Sequence, residues 1–113
     1  MGARTNYTIV TTDNPDQNIN IYSHWDGDDS EYILQEAVLA AKPRWADPSY
    51  GARIIIDQLT KWGRDSETGY GIYIGSEVQA EEQYEYKQIN LVNSTVTIGN
   101  TQYDLDKWLL AVV

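Results

Sequence analysis

The only histidine of the chain, His24, stands in Ile21-Tyr22-Ser23-His24-Trp25-Asp26-Gly27-Asp28-Asp29, between two aromatic residues and a cluster of carboxylates. An imidazole titrates near neutrality and ligates divalent metals, so His24 with Asp26, Asp28 or Asp29 offers the donor types of a metal site or of a carboxylate-oriented general base. A catalytic metal usually takes three protein ligands, and this chain has no second histidine and no cysteine to complete the set. The competing reading is structural: Tyr22, His24 and Trp25 anchor a strand end while the aspartates cap the next helix. On that reading no residue is catalytic and no metal is held. Asp26 to Glu31 carries oxygen donors but not the calcium-loop spacing of about twelve residues closed by a glutamate. Ser23 and Ser30 lie in no Gly-x-Ser-x-Gly turn. Gly69 to Gly75 alternates like a strand and lacks the lysine of a phosphate-binding loop. No cofactor is expected.

Charge defines a second set of candidates. Seventeen acidic residues against eight basic ones give a formal net charge of -9, which disfavours nonspecific attraction to nucleic acid or anionic lipid. Seven carboxylates fall between Asp13 and Glu36, and Glu77, Glu81, Glu82 and Glu85 form another group. Lys42, Arg44, Arg53, Lys61 and Arg64 gather instead around a predicted second helix. Acidic side chains brought onto one face would imitate the phosphate rows of a duplex and compete for the basic groove of a protein that handles DNA or RNA. The plainer alternative is a solvated surface that keeps the chain soluble.

Four tryptophans and nine tyrosines with no phenylalanine make an unusual aromatic selection. Both side chains join a large apolar body to a polar edge, which suits a surface buried against a partner. Tyr84 and Tyr86 therefore join Glu77, Glu81, Glu82, Glu85, Asp26, Asp28 and Asp29 as the candidate partner-binding residues. High strand propensity is the competing explanation for the tyrosines.

Period and punctuation predict the elements that would position these residues. Residues 4 to 11 alternate as a strand, Asp13-Asn14-Pro15-Asp16 is a turn, and Ile19 to Ser23 pairs back antiparallel. Asp28-Asp29-Ser30-Glu31 supplies helix-start chemistry for a helix over about 30 to 41, with Ile33, Leu34, Ala37, Val38 and Ala41 on one face and Pro43 beyond its end. Asp47-Pro48 starts a second helix over 48 to 62, whose stripe is Ala52, Ile55, Leu59 and Trp62, with Gly63 as a left-handed cap. Strands are predicted at Tyr70 to Gly75, 83 to 92 and 95 to 98, with a tight turn next at Gly99-Asn100. Tyr103-Asp104 then leads into a short amphipathic helix bearing Leu105, Trp108 and Leu109.

The 113 residues thus suit a single α+β domain: an antiparallel sheet of about five strands, two main helices on one face, order β-β-α-α-β-β-β-α. The longest apolar runs, Ala37 to Ala41 and Leu109 to Val113, fall far short of the roughly 20 residues that span a bilayer. The amino-terminal residues lack the pattern of a secretory signal, which makes a cytoplasmic location the expectation.

Ile21 to Gly27, Arg44-Trp45-Ala46-Asp47, Tyr50-Gly51-Ala52-Arg53 and Glu67-Thr68-Gly69-Tyr70-Gly71-Ile72 together resemble a group of small phage and prophage proteins, over about residues 19 to 75. The resemblance implies an accessory role during infection, of which inhibition of host defence is one form. The chain departs from the group at Asp28-Asp29, which puts a role for those two in doubt. The expectation is a phage-encoded, non-enzymatic inhibitor in the host cytoplasm that binds a host nuclease or CRISPR effector by mimicking nucleic acid, without itself touching nucleic acid or membrane. The alternatives are a metal-dependent hydrolase centred on His24 and Asp26, and a self-associating phage structural or assembly protein, for instance a homodimer.

Overall fold

A computed structural model of the chain describes residues 4–24, 29–76 and 87–110. Their order is β1 (Thr5–Val10), β2 (Ile19–Ser23), α1 (Ser30–Ala40), α2 (Pro48–Thr60), β3 (Tyr70–Ile74), β4 (Lys87–Asn90), β5 (Thr95–Ile98), β6 (Thr101–Asp104) and α3 (Leu105–Leu110). Short 3-10 turns occupy Pro15–Gln17, Lys42–Arg44 and Lys61–Gly63. The strands form one sheet in the order β3-β2-β1-β4-β5-β6. β1 pairs antiparallel with β2 but parallel with β4, and the remaining neighbours are antiparallel. Over the described residues the fold is therefore α+β with a mixed six-stranded sheet, which corrects the expected antiparallel sheet of about five strands.

β1 lies at the centre and is buried at every position. Its period-two alternation sends Tyr7 and Ile9 to one face, where their neighbours Ile21, Ile89, Val96 and Ile98 extend an apolar surface across four strands. Leu34, Ala37 and Val38 of α1, Ala52, Ile55 and Leu59 of α2, and Leu105, Trp108 and Leu109 of α3 pack onto that surface. The helices share one face, as the periodicity requires. Asn6 and Thr8 point to the opposite face and are also buried, so their polar atoms must be satisfied inside the fold. Tyr73 Oη donates to Asn6 Oδ1 at 3.0 Å, Thr8 Oγ1 to Asn20 Oδ1 at 2.7 Å, and Asn20 Nδ2 to the Gly75 carbonyl at 3.0 Å. These bonds tie β3 and β2 to β1.

The helix starts differ from expectation in one respect. Asp29 and Asp47 precede α1 and α2, yet neither side chain makes a capping bond among the described residues. Pro48 does occupy the first turn of α2, and the first helical bond there runs from Gly51 N–H to the Asp47 carbonyl at 2.9 Å. At the other end α2 stops at Thr60, and the tighter 3-10 turn beyond it rotates Trp62 out of the Ala52-Ile55-Leu59 stripe. Trp62 is 78% exposed as a result, not a core residue. Gly63 is no left-handed cap, since its φ is not positive. A Cβ placed on it would stand 2.5 Å from the Tyr70 ring, so close packing explains this glycine.

Beyond β4 the chain reverses through Leu91 to Ser94. Asn90 Oδ1 accepts from the amides of Val92 at 2.9 Å and Asn93 at 3.2 Å, and Ser94 takes φ 57°. The predicted turn at Gly99-Asn100 is present, with Gly99 at φ 61° between the paired residues Ile98 and Thr101. This turn opens into a strand, β6, where only a lead into the final helix was expected. Thr101-Gln102-Tyr103-Asp104 is exposed along its whole length, so no buried face imposes an apolar alternation on it. The predicted strand over 83 to 92 is present as Lys87–Asn90, and its first part lies outside the described residues. No helix among the described residues is long and apolar enough to cross a membrane.

Candidate functional site

Of the residues singled out from sequence, Tyr22, His24 and Asp29 can be placed. Trp25, Asp26, Asp28, Glu77, Glu81, Glu82, Tyr84, Glu85 and Tyr86 lie outside the described residues. His24 comes directly after β2, and its main-chain N–H donates to the Gly69 carbonyl at 2.9 Å, extending the β2–β3 ladder by one position. Its Nδ1 lies 2.8 Å from the Tyr22 hydroxyl, a hydrogen bond between side chains two residues apart. The two rings are tilted by 57° with centroids 6.2 Å apart. Asp29 is exposed at the head of α1. Among the described residues no group of three or more histidine, aspartate or glutamate side chains is placed to hold a metal ion.

A different set of side chains converges where α1 meets the sheet edge. Glu31 and Gln35 of α1, Tyr103 and Asp104 at the end of β6, and Lys107 and Trp108 of α3 line an open cleft of about 440 Å³. The cleft exists because Trp108 is buried against the core while its indole N–H still needs an acceptor. Glu31 Oε2 supplies it at 3.2 Å, which fixes α1 to α3 and holds one carboxylate at the cleft wall. Asp104 places a second, exposed carboxylate there and Tyr103 an aromatic ring that is 41% exposed. Next to Glu31 on α1, Tyr32 Oη donates to Glu36 at 3.3 Å, so another exposed tyrosine is paired with another carboxylate. Only Glu31 and Glu36 of this group belong to the acidic run noted from sequence. Asp104 was not singled out, because nothing local in sequence joins it to Glu31. The available signal was Trp108, a tryptophan on an apolar stripe whose N–H required a partner.

The basic residues are arranged otherwise. Lys42 lies 5.8 Å from the Trp45 ring centroid, Arg44 5.7 Å from that of Tyr50, and Lys61 5.3 Å from that of Trp62. Each cation is thus set against an aromatic face on α2 or the turns flanking it. Arg64 pairs with Asp57 at 2.7 Å on the same segment. A further cation, Lys87, is buried on the helix-facing side of β4, where its Nζ donates to Thr5 Oγ1 at 3.3 Å.

A second cleft, of about 610 Å³, opens at the carboxyl ends of the parallel strands β1 and β4. Thr11 and Asp13 line it on one side, Leu91 and Ser94 on the other, and Trp45 and Pro48 form its roof. Trp45 is held there by its indole N–H, which donates to the Val38 carbonyl at 2.9 Å. Comparison of the chain with protein-family models, with curated proteins and with solved structures finds no match to any.

Proposed function

We propose that this chain is a binding protein whose acidic, tyrosine-bearing surface occupies the basic groove of a nucleic-acid-handling protein and so inhibits it. The observation that carries the reading is the meeting of Glu31, Asp104 and Tyr103 around one cleft, on a chain of net charge -9. Two carboxylates at an open cleft that also holds Lys107, flanked by the Tyr32–Glu36 pair, offer anionic groups in excess and aromatic faces together, the combination that a groove built for phosphates and bases accepts. The resemblance to small phage proteins supports a target in host defence, a nuclease or a CRISPR effector.

The test is affinity capture from host extract with identification by mass spectrometry, and then titration of the purified target in rising salt. Binding should weaken steeply between low and high ionic strength, because the attraction is between opposite charges screened over about 10 Å at 0.1 M salt. Glu31→Gln with Asp104→Asn should reduce affinity roughly tenfold or more, the scale of losing about 1.4 kcal/mol of charge pairing. Salt-insensitive binding, or unchanged affinity in the double variant, would overturn the electrostatic reading.

A further inference from the structure

Of the five cations gathered around α2, Arg53 alone has neither an aromatic face nor a carboxylate as its partner among the described residues. Asp57 stands four residues further along the helix, at the spacing of an ion pair, but its carboxylate is engaged by Arg64 at 2.7 Å. Arg53 is exposed and, with that pair, borders a groove of about 600 Å³. Every residue lining the groove is described.

The groove follows from the helical repeat. Ser49, Ala52, Arg53, Ile56, Asp57 and Thr60 recur at steps of three, one, three, one and three residues, so a single stripe of α2, about 16 Å long, forms one wall. Thr11 and Ile19, where β1 has ended and β2 begins, form the opposite wall. This stripe shares only Ala52 with the buried stripe Ala52-Ile55-Leu59 and lies beside it on the helix. Ile19 and Ile56 pack against the core, yet both are only half-buried and line the groove. Thr60 and Ser49 direct their hydroxyls back to their own segment, to the Ile56 carbonyl at 2.9 Å and to Asp47 at 3.4 Å. Apolar side chains and a few charged groups therefore decide what the groove accepts, the construction typical of small-ligand sites of this size.

Charge selects the class of ligand. Arg53 and Arg64 against Asp57 leave one net positive charge at the groove, on a chain of net charge -9. A single negative charge balances it, while the field of the whole chain repels polyanions. A guanidinium also receives a carboxylate through two parallel N–H bonds, which orients the bound acid as well as attracting it.

We propose that this groove binds a small amphipathic monocarboxylate, an aliphatic acid of medium length, with its carboxylate on Arg53 and its hydrocarbon chain against Ile19, Ala52 and Ile56. The elongated wall suits an extended chain, and the arginine sets which end of it stays at the polar border. This site shares no residue with the acidic cleft between α1, β6 and α3, so the two surfaces can be occupied independently.

The test is a titration of isotope-labelled protein followed by amide chemical shifts. Butanoate, hexanoate and octanoate vary the chain, and hexanol keeps the chain of hexanoate while removing its charge. The expected result is a saturable shift of the Ile19, Ala52, Arg53 and Ile56 amides. Affinity should rise roughly tenfold for each two carbons added, and hexanol should bind roughly tenfold more weakly than hexanoate. Arg53→Gln, at an exposed position, should weaken hexanoate by about the same factor and leave hexanol unchanged, a pattern that a general loss of structure would not produce. Equal binding of hexanol and hexanoate, or of hexanoate to wild type and Arg53→Gln, overturns the proposal. So does an affinity independent of chain length, or shifts centred away from those four amides.

Discussion

The two edges of the sheet answer the same problem in different ways. At one edge β3 presents Ile72 and Ile74, both more than half exposed, within a stretch from Thr68 to Ser76 that carries no charge. At the other, β6 reads Thr-Gln-Tyr-Asp and is exposed throughout. The two-residue turn at Gly99-Asn100 makes Ile98–Thr101 a bonded pair, so the outward main-chain groups of β6 belong to Gln102 and Asp104. A polar and an anionic side chain flank those groups, and α3 begins at once with Leu105, buried, and Asp106, exposed. Among the described residues, polar and anionic side chains therefore flank the outward main-chain groups of one edge, while exposed isoleucines border the other. The difference separates two kinds of surface: charge and aromatic faces around β6, apolar area along β3.

If the β6 edge depends on α3 as an anchor, Trp108→Ala should have the largest effect on stability. The indole is buried and bonded to Glu31, and its removal leaves a cavity beside Leu105 and Leu109 in the core cluster. A loss of about 3–5 kcal/mol is expected in chemical denaturation, the range for truncating a buried tryptophan. A much smaller loss would mean that α3 is loosely attached and that the contrast between the edges is less sharp. Next in size is Gly63→Ala. The new methyl group would collide with the Tyr70 ring, and moving that ring should lower stability by about 1–3 kcal/mol, the scale of overpacking. An unchanged melting temperature would show that the turn and β3 separate easily, and that the apolar edge has no rigid support from the Gly63–Tyr70 contact.

The parts of this fold that sequence disclosed are those encoded by local period. β2 alternates over Ile19 to Ser23 and α2 repeats its apolar residues at helical spacing, so both were legible, and β3 was recognisable from Tyr70, Ile72 and Ile74. The parallel pairing of β1 with β4 was not, because a strand's period names the face it buries and not the neighbour it chooses. β6 carries no such signal because it buries neither face, and a helical period extended across the 3-10 turn misplaces Trp62. The Glu31–Asp104 juxtaposition is likewise a product of tertiary packing, brought about by Trp108 docking between two distant segments. His24 shows the opposite case. Its neighbourhood in sequence suggested chemistry, and the described part of that neighbourhood is a bond to Tyr22 and a ladder position against Gly69.

The smallest expected effect is also the most discriminating. Trp62→Ala removes a side chain that is 78% exposed and whose described partner is Lys61, 5.3 Å from its ring. An exposed cation–aromatic contact contributes about 0.5–1 kcal/mol, and substitutions at exposed positions usually stay within about 0.5 kcal/mol, so stability should barely change. Denaturation midpoints of wild type and variant should therefore nearly coincide. A large difference would instead place the indole within the folded core, against its exposure, and would make the two edges alike in depending on a tryptophan anchor.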